Sequence, residues 1–195
     1  AVLVAVVICV CVGVAVEIIA YRPVRGAGSM SALITALAMS VFLENLAMVL
    51  FGANPKSVPA IFDLPSIDFL GAKLQCKYLL TIGIGLLMML LLQFFVKKTR
   101  LGKAMRAVPQ DKEASTLMGI NVNKIITITF AIGSGLAAVA ALMYCSTYPR
   151  CTTDMGSIMG IKAFIAAVLG GIGIIPGAML GGIIVGLVEI FVKVY

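Results

Sequence analysis

The sequence predicts an all-α fold, a polytopic transmembrane helix bundle whose helix pair near the C-terminus is interrupted by glycine and proline. Three observations carry that expectation. The chain is 62% hydrophobic and 12% charged, with a mean hydropathy of +1.14, whereas soluble domains are roughly 45–50% apolar and about 25% charged. Apolar runs of about twenty residues recur, and at 1.5 Å per residue each matches a hydrocarbon core of about 30 Å. The charge gathers between the runs: residues 97–124 hold seven of the fifteen Lys and Arg residues against Asp111 and Glu113. A net charge of +7 confined to loops, and not spread over a face, gives no footprint for nucleic acid.

Residues 1–19 form the first span, with Glu17 as its only charge. No basic region precedes it and no small-residue cleavage site follows, so it reads as a span and not as a signal peptide. Pro23, in the basic turn from Tyr21 to Gly26, is expected to stop the helix, with Tyr21 anchoring at the interface. Residues 31–51 form the second span. Its centre carries Glu44 and Asn45, where a charged group costs about 2.5–3.5 kcal/mol on insertion scales. Either residue lines a transport path, or each makes a polar contact to a neighbouring helix; the second reading is favoured, because a substrate neutral overall does not demand a midplane carboxylate. Residues 52–77 read as an outer connection with three prolines and nearly balanced charge, in which 67–76 is too short and polar to span.

Residues 78–96 form the third span and lead into the basic loop 97–124, which the positive-inside rule places in the cytoplasm. The loop is patterned as well as charged. Pro109 suits a first helical position, Gln110, Asp111 and Glu113 favour the positive end of a helix dipole, and Gly119 suits a left-handed cap. A short helix of about ten residues outside the membrane is the expectation. Residues 125–144 form the fourth span. The two cytoplasmic loops then hold nine basic residues, against five in the outer connections when these are taken through Lys162.

Residues 161–192 are too long for one straight crossing, and the stretch from Gly170 to Gly177 breaks them into pieces at 161–169 and 178–192. Irregular backbone at membrane depth is tolerated only inside protein or against a watery cavity. Gly170, Gly171, Gly173 and Pro176 are therefore candidates for a translocation path, with Glu44 and Asn45, while the glycines from Gly177 to Gly186 serve close helix packing. The five cysteines show no metal-ligand spacing, and no metal or other cofactor is expected. A disulfide between Cys145 and Cys151, or from either to Cys76, is disfavoured on spacing alone, and the cysteines read as small hydrophobes.

The order Glu113-Ala114-Ser115 followed by Gly119 resembles the Glu-Ala-Ala-x-x-x-Gly signature of ABC importer permeases, whose short cytoplasmic helix docks into a groove on the ATPase subunit. With Ala20 to Arg25 and with Ile161 to Gly171, the whole chain resembles the inner-membrane permease of bacterial branched-chain amino-acid ABC importers, as a single permease domain that is part of a longer protein. The resemblance implies a multi-pass protein of the inner membrane, partnered by a second homologous permease, two ATPase subunits and a periplasmic substrate-binding protein. It also implies the substrate class: leucine, isoleucine, valine or relatives, with amide- and urea-type importers on the same scaffold. Pro109, Glu113, Ala114, Ser115, Leu117, Met118 and Gly119 would then couple to the ATPases, Ala114 and Ser115 by permitting close approach and Leu117 and Met118 by apolar contact. The serine in place of the signature's second alanine keeps the side chain small, and Glu44 stands where a neutral amide would be expected in close relatives.

Catalysis by the chain itself is not expected. It has no G-x-x-x-x-G-K-[ST] loop, no histidine, and no serine or cysteine nucleophile beside a base. The rival reading is an ion-coupled secondary transporter in which Glu44 carries the proton or ion beside the broken helix.

Overall fold

The computed structural model describes residues 2–24, 29–57, 66–69, 72–171 and 173–194. Arg25 and Gly26 of the basic turn, Pro59, Asp63 and Pro65 of the outer connection, and Ile172 lie outside the described residues, as does the side chain of Cys76. The described residues are mostly helical: α1 Val2–Val16, α2 Arg22–Val24, α3 Ser29–Phe51, α4 Cys76–Lys98, α5 Arg100–Ala107, α6 Lys112–Leu117, α7 Val122–Thr147, α8 Met155–Gly170 and α9 Ile175–Val194. Five stretches among them are long and apolar enough to cross a membrane: Val2–Val24, Ile34–Phe51, Lys77–Lys98, Val122–Thr147 and Ile175–Lys193, with α8 a shorter apolar helix. The all-α polytopic architecture expected from composition is the one found.

The surface is inverted relative to a soluble protein. Among the described residues the buried hydrophobic side chains are Val108, Ile125, Ala138 and Ala166, while Leu3, Val49 and Ile19 on the spans are 80%, 83% and 73% exposed. Apolar surface on that scale suits hydrocarbon and not water. Packing therefore depends on close approach of small residues, because lipid supplies no hydrophobic drive between helices. Two antiparallel pairs show it. In α1 against α7, Gly13 faces Ser134, where a methyl on Gly13 would lie 2.6 Å from the serine Cβ, and Gly135 faces Val10. In α8 against α9, a methyl on Gly170 would overlap the Gly177 carbonyl, and one on Gly181 would overlap the carbonyl of Ala166. The expected packing role of the glycine series holds for Gly177 and Gly181. Gly186 meets nothing within 4 Å.

Several expected boundaries shift. Pro23 does not stop the first helix: a π turn over Glu17–Tyr21 leads into α2, which runs on through Pro23 to Val24. The wider i→i+5 pattern, with the Arg22 amide donating to the Glu17 carbonyl, reorganises the backbone just before a residue that has no amide proton to give. Tyr21 packs its ring on Phe130 of α7, centroids 4.9 Å apart. The segment 67–76 contributes to a two-stranded sheet, β2 Ser66–Phe69 paired antiparallel with β3 Ala72–Gln75. A second short ladder joins β1 Lys56–Ser57 to β4 Arg150–Cys151, with Lys56 opposite Cys151 and Ser57 opposite Arg150. The piece expected at 161–169 begins earlier, since α8 starts at Met155. Lys162 consequently belongs to α8 and to no loop.

Candidate functional site

The basic segment between α4 and α7 is built from caps. Thr99 ends α4 and starts α5, its hydroxyl donating to the Phe95 carbonyl at 2.7 Å and accepting from the Gly102 amide at 3.0 Å. Gly102 is buried, and a side chain there would run into the backbone of Phe95 and Val96, so α5 folds back tightly on the end of α4. The motif reading missed α5. Its signal was the cap pair Thr99 and Gly102, obscured by the run of cations around it.

Pro109 does not open the next helix. It lies exposed in the turn 108–110, which is pinned by Val108, only 3% exposed, and by the Asp111 amide donating to the Ala107 carbonyl. Asp111 is the N-cap, its Oδ1 accepting from the Ala114 amide at 2.9 Å. A carboxylate that accepts this bond outcompetes a proline that merely tolerates the position. The helix α6 is therefore six residues long, shorter than expected. Glu113 lies in its first turn, where the helix dipole favours an anion. At the other end Gly119 adopts φ +79°, and two bonds close the cap, Gly119 amide to Thr116 carbonyl and Ile120 amide to Ser115 carbonyl, both 3.0 Å. This is the Schellman arrangement, and a glycine meets its left-handed requirement without strain.

The side chains of α6 divide sharply. Ser115 is buried, 5% exposed, with its hydroxyl bonded to the Asp111 carbonyl at 2.7 Å, so it packs inward and is not part of an outer contact face. Ala114 is exposed, and Leu117 and Met118 are 90% and 83% exposed. Lys112, Glu113, Thr116 and Leu117 line a shallow concavity with Val122 from the first turn of α7. That helix follows at once, capped by Asn121, whose Oδ1 accepts from the Lys124 amide at 3.2 Å.

The candidate path residues separate into two levels. Glu44, in the middle of α3, accepts a hydrogen bond from Ser157 in the first turn of α8. Asn45 is exposed and donates to Val41 of its own helix at 2.8 Å. Gly170, Gly171, Gly173 and Pro176 lie at the far end of α8, about 20 Å from Ser157 along the helix axis. Gly171 and Gly173 have φ of +88° and +96°, and Pro176 is the second residue of α9. The polar pair and the glycine turn are thus not brought together.

Two constellations escaped sequence reasoning. Glu17 is fully buried at the π turn, with Thr127 Oγ1 of α7 at 2.7 Å from its Oε2 and also 3.0 Å from the Asn123 carbonyl. As the lone charge in an apolar run it was visible, but its partner lies 110 residues away. Lys162 of α8 pairs with Glu189 of α9 at 2.7 Å, and Lys193 reaches the same oxygen at 2.7 Å. A lysine counted as a loop charge is in fact an interhelical one.

The family model described as "Branched-chain amino acid transport system / permease component" matches residues 1–195. The high-affinity branched-chain amino acid transport system permease protein BraD of Pseudomonas aeruginosa is 42% identical over 183 residues, covering 92% of this chain and 60% of that protein. The permease protein LivH of Escherichia coli is 37% identical over 195 residues, covering 98% of this chain and 63% of LivH. The ribose import permease protein RbsC of Escherichia coli is 26% identical over 165 residues, 82% of this chain and 51% of RbsC. The chain thus spans about three-fifths of the length of the branched-chain relatives it matches most extensively. No solved structure matches. A bundle of spans held by small residues, joined by a capped basic segment and matched along its whole length by one family model, belongs to the permease components of branched-chain amino acid transport systems.

Proposed function

We propose that the chain is the membrane-spanning part of an ATP-driven importer of branched-chain or related amino acids in the bacterial inner membrane. It lines part of the translocation path and works beside a second homologous permease, two cytoplasmic ATPase subunits and a periplasmic binding protein. The observation that carries the reading is α6: a short helix outside the spans, capped at both ends, in the most basic segment, presenting Leu117 and Met118 almost fully exposed. Apolar side chains so exposed on a polar segment are suited to a partner's groove. The positive-inside rule puts this segment in the cytoplasm. Lys162 lies within α8 and Lys77 within α4, so neither is a loop charge, and the bias rests on the run of cations in residues 97–124.

In this mechanism ATP hydrolysis happens on the partners. Closure of the ATPases grips α6 through Leu117, Met118 and Ala114, while Glu113 meets a cation on the partner. Ser115 acts inward, tying α6 to its own N-cap. Displacement of α6 passes through the Gly119 cap into α7, and from α7 into α1 through the Glu17–Thr127 contact. The bundle then alternates between outward and inward opening, with the irregular backbone at Gly171 and Gly173, both of positive φ, facing the path. Glu44 is engaged in holding α3 to α8, which supports a packing role over ion coupling.

The test is a Leu117→Asp, Met118→Asp double variant of the full-length permease. It is expected to insert normally, to lose the ATPase subunits in a pull-down, and to abolish substrate-stimulated hydrolysis. Undiminished co-purification and hydrolysis would remove α6 as the docking element. Uptake in vesicles that persists without ATP and collapses with an uncoupler would favour the ion-coupled rival.

A further inference from the structure

The Sγ atoms of Cys145 and Cys151 lie 2.9 Å apart, less than about 1 Å beyond the length of a sulfur–sulfur bond. Both backbones are held by regular structure. Cys145 is in the last turn of α7, and Cys151 is on β4, paired across the ladder with Lys56 of β1. Both side chains are partly buried, and the turn between them is packed by the rings of Tyr144 and Tyr148, centroids 5.0 Å apart. Cys9 and Cys11 differ: they are exposed along α1. Spacing argued against a bridge because residues six apart need a reversal of the chain to meet. The structure supplies that reversal, with α7 ending at Thr147 and β4 beginning at Arg150.

We propose that Cys145 and Cys151 are joined by a disulfide in the working protein. The oxidant is a protein disulfide of the thiol-oxidising class found outside the cytoplasm. One thiolate attacks that disulfide, forming a mixed disulfide and releasing one oxidant thiolate. The second thiolate attacks the sulfur of the first, forming the Cys145–Cys151 bond and releasing the other oxidant sulfur. Two thiols are oxidised, one disulfide is reduced to a dithiol, and the two thiol protons end on the reduced oxidant. The bond staples β4 to the end of α7, and the β1–β4 ladder extends that hold to the connection between α3 and α4. The sulfur geometry stands whatever the chain transports; only the compartment rests on the proposed orientation.

The experiment uses the full-length protein in membranes, denatured in N-ethylmaleimide without reductant and digested with trypsin. Cleavage after Lys124, Arg150 and Lys162 puts the two cysteines on separate peptides, residues 125–150 and 151–162. Cys76 falls on a third, residues 74–77. The expected product is a pair of unmodified peptides, 125–150 and 151–162, with a combined mass two hydrogens below their sum, which separates on reduction. Alkylation of Cys145 and Cys151 before reduction, or a linkage from either to Cys76, overturns the proposal. In that event a membrane-impermeant maleimide applied to whole cells and to inside-out vesicles separates the causes. Labelling of Cys151 from outside leaves the orientation standing while the bond is lost; labelling only from the cytoplasmic side removes the orientation as well.

Discussion

Replacing Gly13 with alanine puts a methyl group where α7 already is. The new Cβ would lie 2.6 Å from the Ser134 Cβ, an atom that no side-chain rotation moves, and on top of its hydroxyl, which is itself tied to the Phe130 carbonyl at 2.8 Å. Carbon atoms pack at about 3.5–4.0 Å, so α1 and α7 must part by about 1 Å. Overpacking of this kind costs about 1–3 kcal/mol, a roughly 5- to 150-fold change in the folded-to-unfolded ratio. The separation would also loosen the Glu17–Thr127 contact one turn further along α1. Ser134→Gly removes both clashing atoms and costs about 0.5–1 kcal/mol as a glycine within a helix. The double variant should therefore be about as stable as Ser134→Gly alone, a coupling of about 1–3 kcal/mol in the double-mutant cycle. Reversible unfolding of the full-length protein in bicelles or mixed micelles measures all four corners. Wild-type stability in Gly13→Ala, or a double variant in which the two losses add, would refute the packing of α1 on α7.

Thr127→Val removes a hydroxyl from a fully buried carboxylate and should lower stability by about 1–3 kcal/mol, read in the same unfolding assay, with Thr127→Ser losing much less. Gly119→Val forces a β-branched residue into a left-handed conformation at about 1–2 kcal/mol; amide exchange at Ile120, whose amide closes the cap, should accelerate roughly 5- to 30-fold, and unchanged exchange would mean that the cap does not hold α6. Lys162→Met leaves Glu189 paired with Lys193, and Lys193→Met leaves it paired with Lys162, so each single change should be mild. Removing both strands the carboxylate between apolar helices, and the loss in unfolding should exceed the sum of the singles; strict additivity would show that the lysines do not back each other up.

The spans were legible because a hydrocarbon solvent demands long apolar runs, and the ends expected for the third and fourth lie within three residues of α4 and α7. The position of Gly119 was legible too, since a left-handed cap is a local requirement that glycine answers alone. Pro109 was misread for an equally local reason: Asp111 can bond an amide of the first turn, and that gain overrides a permissive proline. Ser115 was expected to permit close docking because it is a small residue in a docking signature. Its burial and its hydroxyl bond to the Asp111 carbonyl, in a helix that meets α5 and α7, are not encoded in any signature. Glu17 with Thr127, Ser157 with Glu44 and Lys162 with Glu189 were out of reach altogether. Each joins separate helices, and only the register of one helix on another decides which side chains meet.

Between the last residue of α6, Leu117, and the first of α7, Val122, only four residues intervene, and both neighbouring helix ends are closed by their own hydrogen bonds. There is little slack in such a hinge to absorb a push. The 26 residues of α7 make a lever arm of about 39 Å, so a pivot of about 10° at its base would swing the far tip by about 7 Å. A small tug at the root becomes a displacement on the scale of an amino-acid side chain at the opposite end.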